Sequence, residues 1–175
     1  RFEGKIAWIT GSGRGMGKAH ALLMAERGAD IVVHDVLEAE AAEVAAEIRK
    51  LGRRALIAND DIVSPAAMKA LAARIEKELG PIDILVNNAG IGDHKKIEEI
   101  TPEAYQRMFD IHVKGTFFCT QSVVPAMKQR GYGRIVNISS IWGMTGTNTA
   151  SHYCAAKAAV LGLTVLGEQL SALAV

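Results

Sequence analysis

Five short apolar runs, each rich in isoleucine or valine, recur along the chain and constrain its fold more than any other feature. They are KIAWIT (5–10), DIVVHD (30–35), RALIA (54–58), IDILV (82–86) and RIVNI (134–138). Continuous apolar runs of this length are typical of strands that are buried on both faces, as in a parallel sheet covered by helices. We therefore expect a parallel sheet at the centre of the protein.

The segments between these runs carry helical patterns. Apolar residues three or four positions apart form two stripes, Ala41, Val44, Ile48 and Leu51 in one and Met68, Leu71, Ile75 and Leu79 in the other. Two predicted helices begin with an N-cap and first-turn pair, Ser64-Pro65 and Thr101-Pro102. Three predicted helices end at a glycine, namely Gly28, Gly52 and Gly80. The alternation of strands and helices, without linkers or repeats, predicts one doubly wound α/β domain of the Rossmann type over residues 1–175.

Composition excludes several other classes of protein. The formal net charge is only +1, so we do not expect a nucleic-acid partner. No run of uncharged apolar residues is long enough to span a bilayer, so we expect no membrane partner. Cys119 and Cys154 lie far apart and fit neither a disulfide framework nor a zinc spacing, and no histidine–acid cluster has metal spacing. The first residues enter a strand at once, without the pattern of a signal peptide. These features predict a reduced cytoplasmic protein without a catalytic metal.

The first strand runs directly into the glycine-rich stretch TGSGRGMGKAH (10–20). Glycines allow backbone N–H groups to approach a phosphate, and the following helix directs its positive end at that charge. A P-loop is not matched, because Ser12 stands five residues before Gly17 and Ala19 follows Lys18; the G-x-G-x-x-G spacing also fails. The stretch fits T-G-x-x-x-G-x-G, with Thr10, Gly11, Gly15 and Gly17. Taken alone, it is equally compatible with a turn that binds no ligand.

Two further motifs lie at the carboxyl ends of predicted strands, the edge at which open α/β sheets bind ligands. Asp35 ends the second strand, where an acid can accept hydrogen bonds from the hydroxyls of an adenosine ribose; it could also be a helix N-cap. NNAG (87–90) follows the fourth strand and could equally be an ordinary turn. Together with the glycine-rich stretch they favour a nucleotide site.

TGSGRGMG (10–17), Asp35, NNAG, ISS (138–140) and YCAAK (153–157) occur in the order found in one enzyme family. In these motifs the chain resembles the short-chain dehydrogenase/reductase family, from about residue 4 to about residue 170, and specifically its simple oxidoreductase branch. The resemblance implies a bound NAD, with NADP less favoured. It implies cofactor contacts from Gly11, Ser12, Arg14, Gly15, Met16, Gly17, Asp35, Asp61, Ile62, Asn88, Ala89, Gly90, Tyr153 and Lys157.

The family performs its chemistry with a serine, a tyrosine and a lysine. Tyr153 and Lys157 are four residues apart in a helical segment and therefore lie on one face, where the lysine charge favours the phenolate. The resemblance implies that Tyr153 is the general acid/base and that Ser140, thirteen residues earlier, orients the substrate oxygen. Ser139 is the alternative if the register is displaced by one residue.

The chain departs from the family at His112, where members usually carry an asparagine that bends a helix and holds a water in the proton path. Two interpretations stay open: a buried, hydrogen-bonded core histidine, or a catalytic relay that passes the proton from Lys157 towards solvent. Four further residues could line the substrate site or serve only as turn and packing residues, namely His94, His152, Trp142 and Met144.

The expected function is hydride transfer between NAD(H) and a secondary alcohol or ketone. A 3-oxoacyl thioester and a polyol, steroid or cyclic alcohol all remain possible substrates. The alternative from another class is a non-catalytic nucleotide-sensing or interaction protein on the same fold. We expect Asp35 to repel the 2′-phosphate of NADP and to outweigh Arg14, which favours it.

The final segment, LGLTVLGEQLSALAV (161–175), predicts the helix that carries Lys157. A sheet ending at RIVNI would expose an apolar edge strand. We therefore expect either that further C-terminal strands belong to the protein or that another chain covers this edge. Apolar faces on the helices carrying Tyr153 and His112 favour a homodimer or homotetramer.

Overall fold

The computed structural model describes residues 1–168 and contains one five-stranded parallel sheet. Its strands are β1 (Ile6–Thr10), β2 (Asp30–His34), β3 (Ala55–Ala58), β4 (Ile84–Asn87) and β5 (Arg134–Asn137). Their order across the sheet is β3-β2-β1-β4-β5 and every pairing is parallel. The predicted doubly wound Rossmann-type fold is confirmed.

Helices connect the strands as the sequence predicts. They are α1 (Gly15–Glu26), α2 (Glu38–Lys50), α3 (Pro65–Glu78), α4 (Pro102–Phe109), α5 (Thr116–Arg130), α6 (Trp142–Thr145) and α7 (Ser151–Glu168). The hydroxyls of Ser64 and Thr101 cap α3 and α4 by accepting backbone N–H groups at 3.3 and 3.2 Å. Residues 169–175, the last part of the predicted C-terminal helix, lie outside the described residues.

Apolar side chains alternate between the two faces of the sheet and form two cores. Trp8 and Val32 pack with α3 and α5 on one face, whereas Ile9 and Val33 pack with α1 and α2 on the other. The predicted stripes are buried except at their last residues, each of which follows the last turn of its helix: Leu51 is 45% exposed and Leu79 is partly buried. Burial of both faces explains why the strands read as continuous apolar runs.

The chain reverses its direction of winding between β1 and β4. From β1 it proceeds outward to β2 and β3, and then crosses back to place β4 on the other side of β1. The carboxyl ends of β1 and β4 therefore flank a crevice, the usual ligand position in open α/β sheets.

β5 lies at the edge of the sheet: within residues 1–168 it pairs with β4 on one side and with no strand on the other. Val136, in this strand, is 43% exposed. No helix among these residues has the length and apolar character needed to cross a membrane.

Candidate active site

The glycine-rich loop and the NNAG turn are joined by hydrogen bonds at the head of this crevice. Thr10 Oγ1 accepts the backbone N–H groups of Asn88 and Ala89 at 3.1 and 3.0 Å. The Asn88 side-chain amide in turn donates to the carbonyls of Thr10 and Gly11, each at 3.0 Å. A Cβ at Gly17 would collide with the Gly11 carbonyl and the Asn88 side chain, so only glycine allows α1 to approach this closely.

A cleft of about 1150 Å³ lies above this loop. The sequence predicts twelve cofactor contacts besides Tyr153 and Lys157, and all of them except Ser12 line this cleft. The lining residues of this set are Gly11, Arg14, Gly15, Met16, Gly17, Asp35, Asp61, Ile62, Asn88, Ala89 and Gly90. Ser12 is the exception, because it is fully buried; its hydroxyl donates to the Ile9 carbonyl at 2.8 Å and accepts the His34 N–H at 3.0 Å. Its side chain supports the loop from below.

Asp35 stands at the rim of this cleft. Its carboxylate accepts backbone N–H groups from Gly13 at 2.9 Å and Leu37 at 3.1 Å, which fixes its orientation. A carboxylate beside a glycine-rich phosphate cradle is the arrangement that accepts ribose hydroxyls. The size of the cleft, the glycine cradle and this acid together fit a dinucleotide.

A second, smaller cleft of about 280 Å³ holds the predicted catalytic pair. Tyr153 and Lys157 both line it, with the Lys157 ammonium 5.8 Å from the centre of the Tyr153 ring. The ammonium donates to the Ile138 carbonyl at 2.6 Å, which connects α7 to the end of β5. Burial lowers the pKa of Lys157 from 10.5 to about 8, so the side chain remains mainly charged at neutral pH.

The two adjacent serines have different hydrogen bonds. Ser139 lines the second cleft and its hydroxyl donates to the Lys157 carbonyl at 2.8 Å. Ser140 Oγ accepts the Trp142 N–H at 3.2 Å and donates no hydrogen bond within residues 1–168. Ser140 is not among the residues that line this cleft, but its hydroxyl proton is not engaged within the described residues, whereas that of Ser139 is in use.

His112 lies in a π-helical turn, Asp110–Gly115, between α4 and α5 and is 2% exposed. Its Nε2 is 2.8 Å from the Ile91 carbonyl and 3.1 Å from the Ile91 N–H, so it either donates to the first or accepts from the second. Nδ1 is buried without a hydrogen-bond partner among the described residues. The ring meets that of Tyr153 edge-on, with centroids 5.4 Å apart.

Burial and, to a smaller extent, the charge of Lys157 lower the pKa of His112 from 6.5 to about 4, although the hydrogen bond to Ile91 acts in the opposite direction. His112 is therefore neutral at pH 7. The sequence did not predict the π-helical turn, which inserts an extra residue into the helix and is often found at functional sites.

The four residues with open assignments separate in the structure. His94 and Trp142 line the second cleft, with ring centroids 5.7 Å apart and nearly perpendicular planes. Met144 is 68% exposed and lies outside the lining of that cleft. His152 is buried, with its Nε2 3.5 Å from a carboxylate oxygen of Asp93. No pattern in the sequence predicts this approach, because it depends on how the loop after β4 packs against α7.

No group of three or more histidine, cysteine or acidic side chains that could hold a metal occurs within residues 1–168, and both cysteines are free.

Comparison with known proteins places these features in a family. The family model for short chain dehydrogenases matches residues 5–172. An uncharacterized oxidoreductase of Thermotoga maritima is 38% identical over 93% of this chain and 64% of its own length. The cis-4-hydroxycyclohexanecarboxylate dehydrogenase of Sinomonas cyclohexanicum is 40% identical over 93% of this chain and 66% of its own length. The chain thus spans slightly less than two thirds of these relatives.

A solved structure agrees with the sequence matches. The carveol dehydrogenase of Mycobacterium avium, in complex with NAD, superposes with a TM-score of 0.91 at 34% identity, covering 97% of this chain and 67% of that one. The matched family model extends over nearly all of the chain and includes every motif described above. The protein belongs to the short-chain dehydrogenase family.

Proposed function

We propose that the protein is an NAD-dependent oxidoreductase that transfers a hydride between the cofactor and a secondary alcohol or ketone. One observation carries the proposal: the dinucleotide-sized cleft and the cleft of Tyr153 and Lys157 share Met16, Asn88, Gly90 and Ile91. A molecule bound in the first cleft therefore reaches the catalytic pair in the second. A sensing protein would not need a phenol and an ammonium at that junction.

The proposed residues each have one task. NAD, when bound, supplies the hydride acceptor. Tyr153 takes the hydroxyl proton of the alcohol as the hydride leaves, and the nearby charge of Lys157 favours the phenolate that accepts it. Ser140 donates its free hydroxyl proton to the substrate oxygen and holds it against Tyr153.

His112 is proposed as the relay beyond this pair, because its neutral ring lies against Tyr153 and its Nδ1 has no partner among the described residues. Neutral imidazole can accept a proton at one nitrogen while it releases one at the other. Its alternative role, holding the loop after β4 through Ile91, requires only the Nε2 contact.

NAD is proposed over NADP because Asp35 is held at the rim of the cleft by two backbone N–H groups. A carboxylate fixed in this way would meet a 2′-phosphate with like charge. Arg14 also lines the cleft and acts in the opposite direction. Its side chain is exposed, so solvent and salt screen it more than the tethered Asp35.

An apolar cyclic alcohol is the substrate class that the second cleft favours. Its walls include Met16, Ile91, Trp142 and Ala150, and the Trp142 ring stands nearly perpendicular to Tyr153 with centroids 6.1 Å apart. Asp93 also lines it but is paired with Lys95 at 3.0 Å, a contact that lowers the pKa of the carboxyl. Polar side chains also line this cleft, among them His94 and His112, so the preference for an apolar alcohol rests on the four walls named above. The name of the Sinomonas relative, a hydroxycyclohexanecarboxylate dehydrogenase, agrees with this class, whereas that of a sorbitol dehydrogenase of Cereibacter sphaeroides, 42% identical, favours a polyol.

The test is a substrate panel followed by the absorbance of reduced nicotinamide. Cyclohexanol, sorbitol, a hydroxysteroid and a 3-hydroxyacyl thioester are each supplied with NAD and with NADP. We expect turnover of the cyclic alcohol with NAD. Turnover of sorbitol or the thioester in its place would contradict the substrate class alone. Calorimetric binding of NAD without turnover of any compound would favour the non-catalytic alternative.

A further inference from the structure

His34, at the end of β2, is a buried histidine that the proposed chemistry does not use. Its Nδ1 accepts the indole N–H of Trp8 at 3.0 Å, and its Nε2 lies 2.7 Å from the backbone carbonyl of Asp60. The side chain is 1% exposed and stacks on the Trp8 ring, with centroids 5.8 Å apart. We call this chain of contacts, Trp8–His34–Asp60, the His34 bridge.

These contacts fix one tautomer of the His34 ring. The indole nitrogen of Trp8 can only donate, so Nδ1 must carry the lone pair. The Asp60 carbonyl can only accept, so Nε2 must carry the proton. Both ring nitrogens are then satisfied by the neutral ring, which leaves no buried polar atom unpaired in the bridge.

A positively charged ring would break the bridge, because Nδ1 would then direct a proton at the Trp8 N–H. Burial lowers the pKa of His34 and opposes this charge, although the Asp60 hydrogen bond and the carboxylates of Asp60, Asp35 and Asp61 favour it. The environment therefore keeps His34 in the form that makes both contacts.

The bridge spans three strands directly beneath the first cleft. Trp8 belongs to β1, His34 to β2, and Asp60 follows β3. Residues 60–62 line the cleft on the far side of Asp35 from the glycine loop. Because phosphates bind at the glycine loop and the ribose at Asp35, the adenine ring of a dinucleotide must lie against residues 60–62.

We infer that His34 is a positioning residue for the adenosine half of the cofactor, because it holds the backbone of Asp60 and thereby sets the wall formed by residues 60–62. The inference rests on the proposed nucleotide binding. His34 is itself among the residues that line the first cleft, but its side chain is 1% exposed, so the inference assigns it an effect through Asp60 and no part in proton transfer. The nicotinamide half, which adjoins Tyr153, lies outside its reach.

The test compares His34→Phe with His34→Gln by calorimetric titration of AMP, nicotinamide mononucleotide and NAD. Phenylalanine fills the space but cannot donate to Asp60, so we expect AMP and NAD to bind about tenfold more weakly, the loss of one ordinary hydrogen bond. Glutamine retains a terminal N–H and should recover most of that loss. Binding of nicotinamide mononucleotide, and turnover at saturating NAD, should stay within about twofold of the wild type.

Val33→Ala is the matched control. Val33 is fully buried in the same strand but packs on the opposite face of the sheet, so the substitution lowers the melting temperature without touching the bridge. We expect it to leave the dissociation constant of AMP unchanged. The inference would be overturned if Val33→Ala weakened AMP binding as much as His34→Phe does. It would also be overturned if His34→Phe weakened the binding of nicotinamide mononucleotide as much as that of AMP. If the wild type bound neither AMP nor NAD, the proposed function would fail instead.

Discussion

The two clefts, proposed here for the adenosine half of the cofactor and for the substrate, differ in how the buried histidines beside them are satisfied. At the adenosine end, His34 has hydrogen-bond partners at both ring nitrogens. At the substrate end, Nδ1 of His112 and Nδ1 of His152 are buried without hydrogen-bond partners among the described residues, and His152 Nε2 has only the distant Asp93 carboxylate oxygen, at 3.5 Å. Buried polar groups are normally paired, and exceptions concentrate at functional sites. The adenosine wall is therefore complete by itself, whereas the substrate end retains polar atoms for a ligand or water.

Two tryptophan–histidine pairs show the same difference. Trp8 and His34 are stacked and hydrogen-bonded in the core, while Trp142 and His94 meet edge-on at the border of the second cleft.

Backbone strain also occurs at the substrate end, where Ala150, directly before α7, has a φ of 71°. That conformation costs about 1 to 2 kcal/mol for a residue with a Cβ. A hydrogen bond of 2.8 Å from its N–H to the Lys95 carbonyl helps to hold it.

The largest effect should come from removing the phenol at the substrate end. Tyr153→Phe eliminates the proton acceptor and should lower kcat by about 10²- to 10⁴-fold, the usual contribution of a general acid/base. The dissociation constant of NAD should change little, because the adenosine wall is untouched. Steady-state kinetics and calorimetry measure the two quantities. Retention of most activity would show that another group moves the proton.

The second effect concerns stability in acid. The pKa of His112 is lowered from 6.5 to about 4, so the unfolded chain binds a proton before the folded one. His112 should contribute up to about 3 kcal/mol to the free energy of unfolding, and this contribution should be fully present above pH 6.5. It should be lost progressively as the pH falls from 6.5 towards 4. Urea denaturation at a series of pH values measures the decrease.

His112→Asn is the control for this measurement, since asparagine does not titrate and can still bond Ile91. Its unfolding free energy should depend less on pH than that of the wild type. An identical pH dependence would assign the loss to other groups. The relay is tested with His112→Ala, because asparagine is the residue that family members use in the proton path. Lower turnover per folded molecule of this variant at pH 7 would support the relay, and unchanged turnover would leave His112 the structural role.

The third effect is in cofactor choice at the adenosine end. We expect the wild type to prefer NAD over NADP by about a hundredfold in kcat/KM, because Asp35 repels the 2′-phosphate. Asp35→Asn should remove most of this preference, and Arg14→Ala should increase it. Equal use of NAD and NADP by the wild type would mean that Arg14 outweighs Asp35.

The smallest effect should follow Trp8→Phe, which removes the indole N–H but leaves His34 bonded to Asp60. Without that donor, the ring can adopt either tautomer, so AMP should bind about two- to threefold more weakly. In a His34→Phe background the same substitution should change AMP binding no further, since the bridge is already lost. Additive losses would separate Trp8 from the bridge.

The sequence predicted the fold because the strands and most of the helices are marked locally, although no pattern predicted the short helix α6. The five apolar runs match the five observed strands to within two residues at either end. The glycine loop and NNAG are in contact at the carboxyl edge of the sheet, as expected for two motifs that follow parallel strands. The His34 bridge could not be predicted, because its residues are distant in sequence. His34 is 26 residues from Trp8 and 26 from Asp60, and the three meet only through the register of the strands. The π-helical turn at His112 and the approach of His152 to Asp93 likewise depend on packing between distant segments.

The central claim is that cofactor affinity depends on the first cleft and proton transfer on the second, which adjoins it. Its most direct test measures NAD affinity and kcat at saturating NAD for Tyr153→Phe and His34→Phe in parallel. The account predicts a crossed result: Tyr153→Phe loses turnover and keeps NAD affinity, whereas His34→Phe loses about tenfold in affinity and keeps turnover. If affinity and turnover fell together in both variants, the two clefts would not be separable and the claim would be contradicted.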